Sequence, residues 1–161
     1  MTNKEIIIKF YDAFSNHNPE TMVNFYDDNI EFEDPAFGIL KGIAAKMMWK
    51  MLIEISKGNL KITVENIKSE ENFGSVDWKA EYIFSQTKRK VINNVHAEFE
   101  FQNGKIIKHK DFFDFYKWSC QALGIFGFLF GKSKVFKFIF KRKTNSMLKK
   151  YILQQIDKQK L

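Results

Sequence analysis

Apolar residues recur at two different spacings along the chain, and the spacing changes near the middle. A helical period marks residues 4–15, 19–26 and 43–56, which predicts three helices, the second of them opening at Pro19. A short alternating run at residues 30–33 stops before a proline, which cannot donate a ladder hydrogen bond. That run therefore predicts a short strand that ends there or lies at the edge of a sheet.

Alternation of apolar and polar positions dominates the second half of the chain. Residues 60–67, 76–84 and 91–101 alternate with a period of two, and a less regular run covers residues 106–114. These runs predict four long antiparallel strands. An Asn-Gly dipeptide between the last two strands is typical of a tight hairpin turn. Helices followed by a run of strands predict an α+β fold.

One face of the last predicted strand carries two ionisable residues. Ile107, His109, Asp111 and Phe113 fall on the same side of that strand. If this side faces the core, His109 and Asp111 lie among aromatic residues, where ionisable groups are costly and often serve chemistry. The alternatives are a structural hydrogen-bonded pair or a position at the edge of the sheet.

A second histidine lies on the strand before it. His96 shares one face with Glu98 and Glu100. Two interpretations are open, a role for His96 in a pocket and a simple pairing with these acids on the outer face.

Composition narrows the class of protein. The 161 residues are 45% hydrophobic and predict one domain with a sizeable core. The net charge of +7 is unevenly distributed, because residues 132–161 carry ten Lys/Arg and one acid, a net +9, and the rest carries −2. Cys120 is the only cysteine, which excludes a disulfide framework and a cysteine metal cluster. The first residues lack the apolar block of a signal peptide, which predicts a cytoplasmic protein.

Three segments resemble the nuclear transport factor 2-like superfamily, in particular its SnoaL-like polyketide cyclase and ketosteroid isomerase-related branches. They are residues 10–38, 99–106 and 109–124. The resemblance implies a cystatin-like cone, in which three N-terminal helices pack on a curved, mostly antiparallel sheet that encloses a pocket, commonly dimerised through the sheet. It assigns residues 1–124 to the cone domain and leaves residues 125–161 as a basic, amphipathic helical extension.

The resemblance also implies roles for individual residues. A Glu-Asp-Pro corner carries the general base of ketosteroid isomerases, which implies that role for Asp34. In the cyclase branch an acid/base aspartate lies on the last strand, which implies Asp111, and Asp114 is close enough to compete. We expect His109 or His96 to assist the two aspartates. For Asp34, an Asx turn ahead of the proline is the structural alternative.

The first helix departs from the isomerase pattern. The position of the family's oxyanion phenol holds Phe10, which has no hydroxyl, and Tyr11 is one position away. Tyr26 matches a tyrosine of the family. Seven aromatic residues are predicted to contact a ligand, with core packing as the alternative: Phe10, Phe14, Tyr26, Trp49, Trp78, Tyr82 and Phe113.

The resulting functional hypothesis is binding of a small hydrophobic molecule, with carbonyl compounds among the candidates. Isomerase or cyclase chemistry by acid and base would need neither a cofactor nor a metal, and the sequence contains none of the common metal, dinucleotide or phosphate motifs. A homodimer is implied by the resemblance alone. The alternative function is a non-catalytic binding module that reaches a membrane or a partner through its basic C-terminal extension.

The basic extension admits three roles. Residues 119–131 are apolar but too short to span a bilayer, residues 133–143 interleave lysine with apolar residues, and residues 146–160 predict a final amphipathic helix. The extension packs over the mouth of the cone or a partner subunit, lies on an anionic membrane surface through residues 132–161, or binds nucleic acid. Nucleic acid is the weakest of these, because arginine is scarce and no recognised motif is present.

Overall fold

A computed structural model describes residues 1–160, in which helices pack against a single sheet. The elements in chain order are α1 (Asn3–Ser15), α2 (Pro19–Val23), β1 (Tyr26–Asp34), β2 (Gly38–Lys41), α3 (Ile43–Ser56), β3 (Leu60–Glu70), β4 (Phe73–Ile83), β5 (Lys90–Gln102), β6 (Lys105–Phe112), α4 (Phe115–Leu123), α5 (Ile125–Phe130) and α6 (Lys134–Gln159).

The strands form one mixed sheet in the order β2-β1-β6-β5-β4-β3. Neighbouring strands are antiparallel, except that β1 and β6 run parallel. Register shifts interrupt the β1–β6, β3–β4 and β5–β6 pairs, and such bulges bend and twist a sheet. The helices α1 and α3 pack on its inner face. The predicted α+β cone is therefore confirmed.

Local sequence signals explain how several elements begin and end. Thr2 and Glu5 form a capping box at the start of α1, which satisfies two backbone N–H groups that a helix terminus leaves free. Pro19 occupies the first turn of α2. Asn103 and Gly104 both have positive φ angles, 52° and 74°, as the tight turn between β5 and β6 requires.

The sequence placed the boundary between α2 and β1 too late. α2 ends at Val23, and Tyr26 is already the first residue of β1, where it pairs with Ile106 of β6. Gly38–Lys41, for which the alternation predicted no strand, forms β2 and pairs antiparallel with β1. Backbone pairing with distant strands outweighs the helical spacing of a few residues here.

In β5, the five apolar residues on the face opposite His96 are all buried. They are Val91, Val95, Ala97, Phe99 and Phe101.

The period of two fails once in β6. Glu100 pairs with Lys108 and Phe101 pairs with Ile106, so Ile107 is an extra residue in the ladder. The buried position falls to Ile106, and the prediction that Ile107 faces inward with the ionisable pair is wrong. A bulge changes which side chain points inward, and nothing in the alternation announces it.

The C-terminal residues continue the fold as three helices. Where the sequence predicted a helix over residues 146–160, α6 is one continuous helix of 26 residues from Lys134. Leu148 is buried in the main core. In the part of the chain described, no helix is both long enough and apolar enough to cross a membrane.

Side-chain hydrogen bonds fasten α6 to the rest of the cone. Thr144 Oγ1 donates to the Ala36 carbonyl at 2.9 Å, and Asn145 Nδ2 donates to the Phe37 carbonyl at 2.8 Å. Tyr151 donates its hydroxyl to a carboxylate oxygen of α3 at 2.7 Å. Of the three roles considered for the extension, the structure shows packing across the opening of the cone.

Candidate functional site

A cavity of about 200 Å³ lies between the inner face of the sheet, α3 and α6. Most of its wall is apolar or aromatic. Five of the seven aromatic residues predicted to contact a ligand line it: Phe14, Trp49, Trp78, Tyr82 and Phe113.

Asp34 and Asp111 line this same cavity, although 77 positions separate them in the sequence. Asp34 is the last residue of β1, and Asp111 lies near the end of β6. Because β1 and β6 are parallel neighbours, their carboxyl ends meet at one side of the sheet. The sheet topology therefore brings together the two carboxylates that the sequence nominated separately.

Asp34 combines an Asx turn with a place in the cavity wall. Its Oδ1 accepts hydrogen bonds from the backbone N–H groups of Ala36 at 3.0 Å and Phe37 at 2.6 Å. Desolvation raises the pKa of Asp34 to about 7, opposed by the hydrogen bond from Phe37 and reinforced by the charge of Asp111. The side chain is only partly buried by area, but it borders the cavity rather than an open face, so desolvation still dominates.

Asp111 is held by two N–H donors on a single oxygen. Trp78 Nε1 donates to Asp111 Oδ1 at 3.3 Å, and His109 Nε2 lies 3.0 Å from the same atom. The side chains of His109 and Asp111 are 0% and 4% exposed. The second carboxylate oxygen of Asp111 has no partner among the described residues and remains available to a ligand.

A chain of hydrogen bonds continues behind His109. Trp49 Nε1 donates to the Tyr26 hydroxyl at 2.8 Å, and that hydroxyl lies 2.6 Å from His109 Nδ1. Since an indole N–H can only donate, the Tyr26 oxygen is the acceptor there and its own proton goes to Nδ1. His109 is then the tautomer protonated on Nε2, which donates to Asp111. With this assignment, each N–H and O–H group in this series of hydrogen bonds has an acceptor.

Burial keeps the phenols of this region neutral. Desolvation, followed by the charge of Asp111, raises the pKa of Tyr26 and of Tyr11 well above the usual value. The Tyr11 hydroxyl is buried and has no hydrogen-bond partner among the described residues. It does not border the cavity, so it offers no direct contact to a ligand there.

Tyr82 supplies a phenol that does reach the cavity. Trp118 Nε1 donates to its hydroxyl oxygen at 2.7 Å, which leaves the hydroxyl proton free to be donated elsewhere. Desolvation raises the pKa of Tyr82, although the hydrogen bond from Trp118 opposes the rise. Trp118 was missed from the sequence, because it belongs to an aromatic run whose spacing is equally typical of core packing.

Four of the predicted site residues do not line the cavity, namely His96, Phe10, Tyr26 and His109. His96 lies on the outer face, where its Nδ1 is 2.6 Å from Asp77 Oδ1 and its side chain is 47% exposed. Phe10 and Tyr26 are fully buried behind the cavity wall rather than lining it. Phe10 packs against Trp49 and Tyr26. His109 is buried behind Asp111 and hydrogen-bonds its carboxylate.

Packing of the extension over the mouth of the cone was one of three roles left open by the sequence, which named none of the α6 residues that line the cavity. Phe140, Lys143, Thr144 and Met147 form part of the wall. The amphipathic pattern of this segment showed that it packs against something, but not against what. Within residues 1–160, no group of three or more His, Cys, Asp or Glu side chains is arranged to hold a metal ion.

Comparison with known proteins adds a family and a set of similar folds. The profile of the SnoaL-like domain family matches residues 7–109. No curated protein matches the chain. Among solved structures, Bal32a from a soil-derived mobile gene cassette is 20% identical, with 74% of this chain and 95% of Bal32a covered and a TM-score of 0.64.

Two further structures show the same fold at low identity. One is SalBIII, an epoxide hydrolase/cyclase-like enzyme with a role in pyran ring formation in the polyether salinomycin. It is 20% identical over 69% of this chain and 89% of its own, with a TM-score of 0.60. A Catenulispora acidiphila protein with a ketosteroid isomerase-like fold, solved with trimethylamine, is 11% identical over 75% and 94%, with a TM-score of 0.61.

Proposed function

The chain belongs to the SnoaL-like domain family, and from this premise we propose that it binds a small hydrophobic molecule in the cavity and moves a proton on it. The observation that carries the proposal is the presence of Asp34 and Asp111 in one aromatic cavity. Two carboxylates in different environments are the arrangement that acid/base catalysis uses.

The cavity limits the size of the ligand. About 200 Å³ is below the roughly 300–1,000 Å³ of sites for drug-sized molecules. The aromatic wall favours a flat, apolar body, and the free atoms of Asp34, Asp111 and Tyr82 favour one polar end. We propose a compact carbonyl compound as the substrate class.

The side chains have complementary roles in such a reaction. One of the two carboxylates, Asp34 or Asp111, removes a proton from the carbon beside the carbonyl. The electron pair of the broken C–H bond forms an enolate, so negative charge develops on the carbonyl oxygen. In this proposal the free hydroxyl proton of Tyr82 stabilises that charge. With a pKa of about 7, Asp34 exchanges protons readily near neutral pH. It can return the proton at a different carbon, which completes an isomerisation or sets up a ring closure.

The first experiment identifies the ligand and its chemistry together. The purified protein is analysed by native mass spectrometry for co-purifying compounds and then incubated with them in D₂O. We expect deuterium incorporation beside the carbonyl in the wild type. We expect Asp34→Asn and Asp111→Asn to lower the exchange rate by about a hundredfold or more while still binding the compound.

Asp77→Asn is the matched control. Asp77 also lies on a strand and also bonds a histidine, but on the outer face. Its variant is expected to exchange at the wild-type rate. Wild-type exchange rates in both cavity variants would refute the acid/base role.

One observation favours a second candidate function, that of a non-catalytic binding module. The position of the isomerase phenol holds Phe10, which is buried, and the neighbouring Tyr11 hydroxyl does not reach the cavity. If the wild type binds its ligand without any deuterium exchange, this is the function that the cavity serves.

The homodimer stays a prediction, as does the cytoplasmic location. Multi-angle light scattering on the purified protein tests the first. A dimer mass would support association through the sheet, whereas a monomer mass at all concentrations would exclude it.

A further inference from the structure

The surface formed by α5 and the first turns of α6 exposes an unusual number of large apolar side chains. Their exposed fractions run from 49% to 67%, and exposed apolar patches of this kind mark interaction sites. We call these eight residues the α5–α6 surface: Ile125, Phe126, Phe128, Leu129, Phe130, Val135, Phe138 and Ile139.

The packing of α5 enforces this exposure. Its glycine side faces α4, and a Cβ atom at Gly127 would lie 1.9 Å from the Ser119 carbonyl oxygen. At Gly131, just after α5, a Cβ would lie 2.1 Å from Ser119 Oγ. Only glycine allows so close an approach. Because α5 turns its glycines inward, its large side chains have to point outward, the reverse of an ordinary amphipathic helix.

The charges along the segment that forms this surface are positive. Residues 115–156 contain nine Lys/Arg and no acidic residue. Several of these cations lie beside the apolar residues, since Lys132 stands over the Tyr116 ring at 4.7 Å and Arg142 over the Phe138 ring at 5.8 Å. A partner therefore has to offer both an apolar phase and negative charge.

From these observations we infer that the α5–α6 surface docks on an anionic membrane surface. A bilayer with acidic headgroups supplies the apolar phase to the phenylalanines and the negative charge to the lysines at once. A second copy of the same surface offers the apolar contact but brings like charges together, which opposes association. The first turns of α6 belong to this membrane-docking surface, whereas residues 144–151 of α6 make their contacts with the cone.

Flotation with vesicles tests the inference on the full chain. Vesicles of phosphatidylcholine with phosphatidylserine are compared with vesicles of phosphatidylcholine alone. We expect the wild type to float with the anionic vesicles only, and to be released as the salt concentration rises. Phe126→Ser with Phe128→Ser should reduce binding by about tenfold or more. Lys134→Gln with Lys137→Gln should reduce it by roughly fivefold per lysine.

Phe73→Ser is the matched control, since Phe73 is 60% exposed on the β3–β4 hairpin, outside the α5–α6 surface. It should bind as the wild type does. Circular dichroism checks that all variants are folded. Wild-type binding by the Phe126/Phe128 variant, or equal binding to neutral vesicles, would overturn the inference. The inference would also be overturned if the wild type does not bind vesicles but forms a dimer that the Phe126/Phe128 variant dissociates. The α5–α6 surface would then join two copies of the chain.

Discussion

Two histidine–aspartate pairs lie on opposite faces of the same sheet. On the inner face, His109 and Asp111 are 0% and 4% exposed, and on the outer face His96 and Asp77 are 47% and 40% exposed. The outer hydrogen bond is the shorter one, 2.6 Å against 3.0 Å. Hydrogen-bond length alone would therefore rank the outer pair above the inner pair, which is the reverse of their expected contributions to stability.

The difference between the pairs comes from what surrounds them. Water can replace either partner of His96–Asp77, and exposed pairs of this kind contribute little to stability. The inner pair has no such substitute, because its other partners are the buried side chains of Trp78 and Tyr26. A buried polar network is costly when any member is missing. The same two residue types thus form a surface contact in one place and the support of a candidate site in the other.

The largest expected effect is on the free energy of unfolding. His109→Ala removes one of the two N–H donors to Asp111 and leaves the hydroxyl proton of Tyr26 without its acceptor. In this buried network the loss should cost about 3–5 kcal/mol. His96→Ala should cost less than about 1 kcal/mol. Urea denaturation of both variants measures the contrast, and equal losses would show that burial does not separate the pairs.

The pH dependence of stability should also differ in sign between the two faces. The pKa of Asp34 is raised to about 7 from an ordinary 3.8, so the folded state favours the protonated carboxyl. Its contribution to the free energy of unfolding is full below about pH 4 and is lost as the pH rises through about 7. Asp34→Asn should match the wild type near pH 4 and exceed its unfolding free energy near pH 8, by at most about 4 kcal/mol.

The outer carboxylate should behave in the opposite way. The hydrogen bond from His96, with a second from Asn66, lowers the pKa of Asp77. Its small contribution is present above the ordinary pKa and is lost as the pH falls through the lowered value. Unfolding of Asp34→Asn and Asp77→Asn across the pH range checks both signs, and parallel curves for wild type and Asp34→Asn would contradict the buried environment of Asp34.

A smaller effect is expected from the middle of the inner chain. Tyr26→Phe keeps the ring but removes the hydroxyl, which leaves Trp49 Nε1 and His109 Nδ1 unpaired at a cost of about 2–3 kcal/mol. The loss of the donor to Nδ1 should also change the ¹⁵N shifts of the imidazole. Unchanged shifts would show that Tyr26 does not fix the tautomer.

The smallest effect is the coupling within the outer pair. A double-mutant cycle on His96 and Asp77 should give a coupling energy below about 1 kcal/mol that weakens with salt. The same cycle on His109 and Asp111 should give a larger coupling with little response to salt. Similar coupling energies in the two cycles would remove the distinction between the faces.

Much of the fold could be predicted from local pattern. The helix Ile43–Ser56, the Asn103-Gly104 turn and the inner face of β5 are all as the alternation and turn residues indicated. These features depend on neighbours within a few positions, so the sequence carries them directly. The bulge at Ile107 and the start of β1 at Tyr26 depend on pairing with other strands and were not visible.

Some features of the candidate site could also be predicted from the sequence, and others could not. Asp34 and Asp111 could be nominated from motifs and from an ionisable residue on an apolar face. The position of His96 could not be decided, because a period of two says that two faces differ but not which face is covered by helices. Phe10 lies on α1, where the helical spacing marks a buried side without saying whether that side borders a cavity.

By itself, the sequence determined most of the elements, their order, the uneven distribution of charge and which two carboxylates to nominate. Tertiary structure alone decided that Tyr26 meets His109 across 83 positions, that Trp78 meets Asp111 across 33, and that α6 closes the cavity. The physical reason is that periodicity is set by backbone geometry over a few residues, whereas these contacts depend on strand order and register over the whole chain.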